Sequence, residues 1–261
     1  NIIIYKIEEL FELHSIEACT PFRLTRNSDL DIDEEAEDLL LEIEKSIKKR
    51  KRGRPVRLEI AHKCDKQTRH FLIETLKVKD TDIYSIQGPI DLTFFTKFAG
   101  LNGCEQLCFE PITPVYPPAD FFEHKNVFDA IKEKDRMLHH PYESFKCVVD
   151  FVRQAAEDEN VLAIKQTLYR VSGNSPIVAA LIKAAENGKQ VTVLVELKAR
   201  FDEENNILWA KKLEEAGCHV IYGLVGLKTH CKILLVVRRE EDGIRRYVHM
   251  GTGNYNDSTA K

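Results

Sequence analysis

The sequence predicts an α+β portion followed by an α/β domain with a mixed, largely parallel sheet. Three observations predict this arrangement. The first half contains short alternating apolar segments and one amphipathic helix, and four prolines then lie between residues 111 and 118. After residue 144, apolar strands alternate with helical segments, which implies a parallel sheet with helices on both faces.

The composition is that of a globular protein. The chain has 261 residues, of which 43% are hydrophobic and 31% charged, and its formal net charge is -4. A global basic field for nucleic acid is therefore absent, and no apolar run approaches the roughly 20 residues of a membrane-spanning helix. The seven cysteines are scattered, so we interpret them as reduced thiols of a cytoplasmic protein. The chain begins at Asn1 and stops at Lys261, and we expect both ends to be cuts within a longer protein.

The first half is predicted to contain three strands and one helix. The apolar run at residues 2–4 predicts a strand, as do the segments 56–60 and 82–86. The helix precedes Gly53 and Pro55, which end it, and its apolar face has helical spacing: Ala36, Leu39, Leu40, Ile43 and Ile47.

The basic cluster at residues 48–54 has two interpretations. It follows an acidic stretch, so it complements the dipole at the carboxyl end of the predicted helix and is then simply a solvated helix end. Alternatively, it is a docking surface for polyanions.

The proline-rich stretch predicts a linker at about residues 110–118, because four prolines so close together exclude a helix or an inner strand. We therefore expect two domains, residues 1–116 and residues 117–261.

In the second half, predicted strands alternate with predicted helices, as in a βα fold. Helices are predicted from a cap at Ser144, from Pro176 to residue 187, and over 205–216. Strands are predicted over residues 161–169, 190–197, 219–222, 230–237 and 245–250.

His230 and Lys232 are the first candidate site residues. Both lie at the start of a predicted strand whose residues 233–237 are all apolar, which indicates a strand buried on both sides. They share one face of that strand, about 7 Å apart. An imidazole and an ammonium at the end of a buried strand fit a site in the crevice at the sheet edge.

A hairpin brings Asn254 back to this end of the strand. If residues 242–243 form the centre of the turn, Asn254 lies opposite Cys231. The glycines in segment 251–254 permit close approach to an oxyanion, and an asparagine can hold an imidazole or a phosphate oxygen.

Two arginines and a second histidine complete the candidates. Arg170 and Arg200 follow the ends of two strands, and arginine matches phosphate oxygens in a bidentate manner. In the register above, His249 lies opposite Val236, where a structural role is at least as plausible as a catalytic one. A histidine with nearby cations and an asparagine forms a phosphoryl-transfer constellation, in which the neutral imidazole is the nucleophile and the cations, including Lys232, bind phosphate.

Five stretches resemble polyphosphate kinase of the histidine-phosphorylating type. They read HHPYESF (139–145), AIKQTLYR (163–170), VELKARFDE (195–203), GLKTH (226–230) and GTGNYN (251–256). In the first half, RLTRN (23–27) and DIDEE (31–35) are similar to the middle or head domain of that family. The resemblance covers nearly the whole chain.

The resemblance implies a phospholipase-D-like catalytic domain that begins near residue 117. It implies reversible transfer of the ATP γ-phosphate to the end of inorganic polyphosphate through a phosphohistidine at His230. Arg170 and Arg200 match the magnesium-site positions of the family, and because guanidinium cannot ligate a metal we expect contact through phosphate. His249 matches a second histidine needed for activity, and the cofactor is Mg²⁺.

The resemblance also implies further domains, an N-terminal helical domain and a second phospholipase-D-like domain, that are not in this sequence. We therefore expect weak nucleotide binding and no turnover from residues 1–261 alone. The implied partners are ATP, ADP and polyphosphate and not nucleic acid, with homo-oligomers in the full-length protein and peripheral membrane association.

Two other functions compete with this interpretation. A phosphodiesterase of the phospholipase D type would carry His-x-Lys, four residues and then Asp, but Val237 stands at the Asp position. The other alternative is a non-catalytic polyanion-binding module built on residues 48–54.

Overall fold

The computed structural model describes residues 2–11, 13–29, 38–50, 52–116, 118, 126–223 and 226–260. The chain forms two compact units, residues 1–31 with 48–110 and residues 32–47 with 111–261. Ala36, predicted on the first helical face, lies outside the described residues. The domain division expected at residues 116/117 remains a proposal.

The described part of the chain forms eight α-helices and eight strands. The helices are α1 (Ile2–Tyr5), α2 (Ile7–Leu10), α3 (Leu39–Arg50), α4 (Lys66–Leu76), α5 (Val127–Glu133), α6 (Lys146–Glu157), α7 (Pro176–Glu186) and α8 (Glu203–Glu215). The strands are β1 (Phe22–Arg26), β2 (Pro55–Ala61), β3 (Ile83–Ile86), β4 (Val161–Leu168), β5 (Gln190–Val195), β6 (His219–Ile221), β7 (Lys232–Glu240) and β8 (Gly243–Gly251). None of these helices is long and apolar enough to cross a membrane.

The first unit is built on a three-stranded sheet in the order β1-β2-β3. β1 pairs antiparallel and β3 parallel with β2. Helix α4 begins where the Asp65 carboxylate accepts a hydrogen bond from the Thr68 amide at 2.8 Å. A small core joins this helix to the sheet: Leu58, Ile60, Leu72 and Val78.

The predicted strands at β2 and β3 are confirmed, but the strand predicted at residues 2–4 is wrong. Those residues form α1, and the Lys6 amide donates to the Ile2 carbonyl at 2.9 Å. Three apolar residues are too few to distinguish a period of 2 from a period of 3.6, and the sheet offers them no neighbouring strand.

The second unit contains the five-stranded mixed sheet β6-β5-β4-β7-β8. β6, β5 and β4 are parallel, whereas β7 and β8 run antiparallel to their neighbours. This confirms the predicted mixed α/β class. Because β7 is antiparallel to β4, its amino end lies beside the carboxyl end of β4, with Gln166 opposite Leu234.

One face of this sheet carries the main core. Residues on it include Ile164, Val193, Leu234 and Val236, which pack with α6, α7 and α8. The prediction of a sheet covered on both faces, with β7 buried on both sides, is wrong for the described residues. Ile233, on the opposite face of β7, is 38% exposed.

The β7–β8 hairpin turns one residue earlier than predicted, which shifts every cross-strand partner by two residues. Glu240 pairs with Gly243, so the turn is Glu241-Asp242 and Lys232 faces Gly251 instead of Gly253. His249 lies opposite Leu234 instead of Val236. The shift preserves which residues share a face because it equals one full period of a strand.

A buried ionic network closes the opposite end of this sheet. The Glu240 carboxylate accepts hydrogen bonds from the Arg238 guanidinium and the Tyr247 hydroxyl at 2.5 and 2.6 Å. Lys132 lies 3.4 Å from the same carboxylate, whose side chain is 7% exposed. These donors outweigh the burial and lower the pKa of Glu240 to about 2.

We expect Glu240→Gln to destabilise the chain at pH 7 by about 1–3 kcal/mol, because a buried charged acceptor is lost. The native carboxylate has a depressed pKa, so its contribution is present above the unfolded pKa near 4.5 and is lost as the pH falls toward 2. Urea unfolding at pH 7 and pH 3 measures both effects. Glu241→Gln, at the exposed turn, is the control, and equal stability of the two variants would contradict the network's importance.

Candidate functional site

The backbone around His230 is fixed by side chains from two neighbouring strands. β7 begins at Lys232, so His230 precedes the strand and does not lie on it as predicted. On one side, the Glu196 carboxylate accepts a hydrogen bond from the Thr229 amide at 2.7 Å. On the other, the Thr167 hydroxyl donates to the Cys231 carbonyl at 2.7 Å. His230 is therefore presented between two anchored peptide groups.

Glu196 is 2% exposed and is committed to the backbone. Its second oxygen accepts from the Lys198 amide at 3.1 Å, so the carboxylate joins the loop after β5 to the segment before β7. The Asn206 amide completes the brace, because it donates to the carbonyls of Tyr169 and Glu196 at 2.7 and 2.9 Å. The loops after β4 and β5 are thereby tied together.

Tyr169, the first residue after β4, contacts the candidate nucleophile directly. Its ring centroid lies 4.9 Å from that of His230, with an interplanar angle of 79°. Three cations lie near the same ring, the Lys228 and Lys232 ammonium groups at 5.5 and 5.1 Å and the Arg170 guanidinium at 5.6 Å. The structure thus groups His230, Lys232 and Arg170, as the sequence predicts.

Lys232 is buried and donates a hydrogen bond to the carbonyl of His230. This contact turns its ammonium group back toward the segment before the strand. The predicted pairing of an imidazole and an ammonium at one end of the strand is therefore present, although only Lys232 belongs to β7.

Arg170 and Arg200 lie together at the carboxyl edge of β4 and β5. The Arg170 guanidinium donates to the Arg200 carbonyl at 3.0 Å and lies 3.4 Å from the Asp202 carboxylate. The Arg200 side chain is exposed, with its guanidinium 5.3 Å from the Phe201 ring. Both residues follow the ends of neighbouring strands as predicted, and Asp202 is an orienting group that the sequence reasoning missed.

His249 lies on the same sheet face as Lys232, and Asn254 follows the end of β8. Both line a groove of about 1130 Å³ between residues 127–151 and residues 245–260, and neither His230 nor Tyr169 lines it. The predicted pairing of Asn254 with Cys231 is wrong, because β8 ends at Gly251, opposite Lys232. Asn254 lies three residues beyond the end of β8, and its buried side-chain oxygen has no hydrogen-bond partner among the described residues.

The electrostatics of His249 favour a neutral ring. Burial, together with the nearby His140, lowers the pKa of His249 to about 4. Burial raises the pKa of Tyr255, so its hydroxyl keeps its proton at pH 7 and shares a hydrogen bond of 2.9 Å with His249 Nδ1. The His249 ring is therefore neutral at pH 7, with one nitrogen able to donate a hydrogen bond and the other able to accept one.

Gln166 lies on the same sheet face as Lys232 and His249. It is 3% exposed, yet both polar atoms of its amide have no partner among the described residues. Sequence reasoning missed Gln166, Thr167, Tyr169 and Glu196 as site residues. Their common signal is position, since all four end or directly follow the central parallel strands β4 and β5.

The described residues contain no group of three or more carboxylate, histidine or cysteine side chains that could hold a metal ion. Arg170 and Arg200 have no acceptor atoms in their guanidinium groups. The donor set at this edge therefore suits anions and does not fit a metal held by the protein.

Family models cover most of the chain. The model described as polyphosphate kinase C-terminal domain 1 matches residues 126–261, and the model described as polyphosphate kinase middle domain matches residues 1–98. The chain belongs to the polyphosphate kinase family. The family resemblance of the sequence motifs is thereby confirmed.

Individual polyphosphate kinases agree with the family assignment. The chain is 60% identical to one from Halalkalibacterium halodurans, over 100% of this chain and 37% of the relative, and 58% identical to one from Bacillus cereus, over 97% and 36%. The crystal structure of polyphosphate kinase from Porphyromonas gingivalis matches 99% of this chain and 36% of that one, with a TM-score of 0.69 and 26% identity. The chain spans a little over a third of the polyphosphate kinases it matches.

We expect Glu196→Gln to release the segment before His230. One side-chain oxygen becomes an NH₂ group, which cannot accept a hydrogen bond from the backbone N–H of Lys198 or Thr229. The loss of this acceptor lowers the free energy of unfolding by about 1–3 kcal/mol. Hydrogen exchange at the Thr229 amide should become faster than in the wild type. Glu186→Gln, an exposed change on α7, is the control, and unchanged protection of Thr229 in Glu196→Gln would disprove the anchor.

We expect His249 to titrate with a midpoint near pH 4, measured by ring-nitrogen NMR shifts and assigned by the signal lost in His249→Gln. An unfolded histidine titrates near pH 6.5, so the unfolded chain binds more protons between about pH 6.5 and 4. This residue therefore makes stability decrease as the pH falls through that window. A midpoint near 6.5 would show that the ring is solvated.

Proposed function

We propose that the protein to which this chain belongs is an ATP:polyphosphate phosphotransferase, and that His230 is its phosphorylated nucleophile. One observation carries the proposal. The exposed imidazole of His230 lies at the carboxyl ends of β4 and β5, next to a ring surrounded by Lys228, Lys232 and Arg170. A nucleophile among three cations suits attack on a polyanionic phosphate.

The reaction has two balanced steps. A ring nitrogen of His230 attacks the γ-phosphorus of ATP with its lone pair, a P–N bond forms, and the bond to the bridging oxygen breaks so that ADP leaves. A terminal oxygen of polyphosphate then attacks the same phosphorus, the P–N bond breaks, and the chain is one phosphate longer. The reverse sequence makes ATP from ADP, and neither step needs an oxidant or a reductant.

The cations act on the phosphoryl oxygens. Charge spreads over the three equatorial oxygens during transfer, and fixed positive groups stabilise that charge without reorganising. Asp202 orients Arg170, and the buried Glu196 faces backbone amides. Both carboxylates thus shape the site and leave its exposed edge positive.

Magnesium enters this proposal only as an ion carried by the nucleotide. The described side chains do not fit a protein-held Mg²⁺, because arginines and lysines dominate the site. Arg170 and Arg200 would bind phosphate oxygens of the nucleotide directly, and the ion would supply further positive charge to those phosphates.

The remaining expectations are proposals of the same kind. The substrates are ATP or ADP and inorganic polyphosphate, not nucleic acid. The full-length protein is cytoplasmic, forms homo-oligomers and associates peripherally with membranes. Residues 1–261 alone do not turn over, and sustained polyphosphate synthesis by them would contradict this point.

A phosphodiesterase of the phospholipase D type is disfavoured by Val237. This apolar residue occupies the position of the motif's aspartate, within β7 and opposite Arg246. It provides no carboxylate to orient or protonate a leaving group.

The decisive experiment uses the full-length enzyme with Mg-ATP, in wild type and His230→Ala. We expect acid-labile, alkali-stable phosphate on the peptide that carries His230, mapped by mass spectrometry, and at least a 1,000-fold loss of polyphosphate synthesis in the variant, since a covalent intermediate cannot form. His219→Ala, an exposed histidine at the start of β6, is the matched control and should retain synthesis.

The alternative outcomes are distinct. Phosphate on the His249 peptide would preserve the reaction and overturn the site assignment. Synthesis without any phosphohistidine would mean direct transfer from ATP to polyphosphate. Hydrolysis of a simple phosphodiester without phosphotransfer would replace the proposed function.

A further inference from the structure

The ring of Tyr169 is the common neighbour of four groups at the candidate site. His230 contacts it at 4.9 Å in a T-shaped arrangement, and three cationic side chains lie 5.1–5.6 Å from its centre. All three cationic distances are within the roughly 6 Å range of a cation–π contact.

Such a cluster of like charges needs a compensating group. Lys228, Lys232 and Arg170 repel one another, and Asp202 is the carboxylate seen to pair with one of them, Arg170, at 3.4 Å. The negative face of an aromatic ring offsets part of this repulsion without adding an anion that would compete with phosphate. Tyr169 thus lets the cations gather while the exposed edge stays available to a polyanion.

The T-shaped contact also restricts the imidazole. An edge-to-face pair has a preferred mutual angle, so the Tyr169 ring limits how far the exposed His230 ring can rotate. His230 otherwise projects from a segment whose anchors, Glu196 and Thr167, form hydrogen bonds with peptide groups. Among the residues that the structure describes, the ring contact with Tyr169 is the one that acts on the imidazole of His230.

Tyr169 is itself held by rigid structure. It directly follows the last residue of β4, and its carbonyl accepts a hydrogen bond from the buried Asn206 amide at 2.7 Å. The backbone that carries its ring is consequently tied to buried structure.

We infer that Tyr169 is a positioning residue for phosphoryl transfer, which aligns the His230 imidazole and gathers Lys228, Lys232 and Arg170 around the incoming phosphate. This inference rests on the proposed function and deepens it. The aromatic face carries the role, and the hydroxyl is dispensable. Lys228 thereby joins the cations that bind the terminal phosphate of ATP or polyphosphate.

The test measures the rate of His230 phosphorylation in a single turnover of the full-length enzyme at saturating Mg-ATP. Tyr169→Leu should slow it roughly 10- to 100-fold, because small misplacements of a nucleophile have effects of that size. Tyr169→Phe keeps the aromatic face and should stay within about threefold of the wild type. The nucleotide KM should rise less than the rate falls.

Tyr142→Leu is the matched control. It removes another tyrosine–histidine contact in the same unit, with ring centroids 5.0 Å apart, on His139 instead of His230. It should leave the phosphorylation rate unchanged. Melting temperature verifies folding, and Tyr169→Met replaces Tyr169→Leu if the leucine variant does not fold, since it fills similar space without a π face.

The outcomes separate the two proposals. A wild-type enzyme that forms no phosphohistidine would overturn the proposed function. A phosphorylated wild type with an equally fast Tyr169→Leu variant would overturn the positioning role alone. A Tyr169→Phe variant as slow as Tyr169→Leu would show that the hydroxyl is essential, which also contradicts this inference.

Discussion

The antiparallel pairing of β7 with β4 is the constraint on which the candidate site depends. In a purely parallel sheet, the segment before a strand lies at the edge opposite to the carboxyl ends. Reversal of β7 brings the segment before it to the carboxyl edge of β4 and β5, where Tyr169, Arg170 and Glu196 are already placed. His230 meets its neighbours because of one strand direction, and the Thr167 hydroxyl, bonded to both Cys231 and Ile233, fixes that pairing at its end.

The charge at this edge depends on which groups its two carboxylates, Glu196 and Asp202, bind. Glu196 is buried against backbone amides, and Asp202 holds one arginine. The chain as a whole is slightly acidic, with a net charge of -4, so the positive site is a local arrangement and not a reflection of composition. At the opposite end of the sheet, by contrast, the Glu240 carboxylate forms a direct ion pair with the Arg238 guanidinium.

Much of this arrangement could be predicted from the sequence. Strongly periodic segments revealed β4, β5, α7 and α8, and the strand-end positions of Arg170 and Arg200 placed them together. The hairpin register could not be predicted, because Glu241-Asp242 and Asp242-Gly243 are both acceptable turn pairs and only the cross-strand packing decides between them. The role of Tyr169 as a site residue could not be predicted for a different reason. An aromatic residue after a strand is typical of a core position, and only the structure brings the three cations to its ring.

The sheet order has a practical consequence for work on the chain by itself. Within the described residues, β8 pairs with β7 alone, so one side of a nine-residue strand presents open backbone donors and acceptors. Ile244, Val248 and Met250 on this strand are exposed. An unprotected apolar margin of that length is a template for strand-to-strand self-association, so protein concentration becomes a variable to control in any solution measurement on the isolated chain.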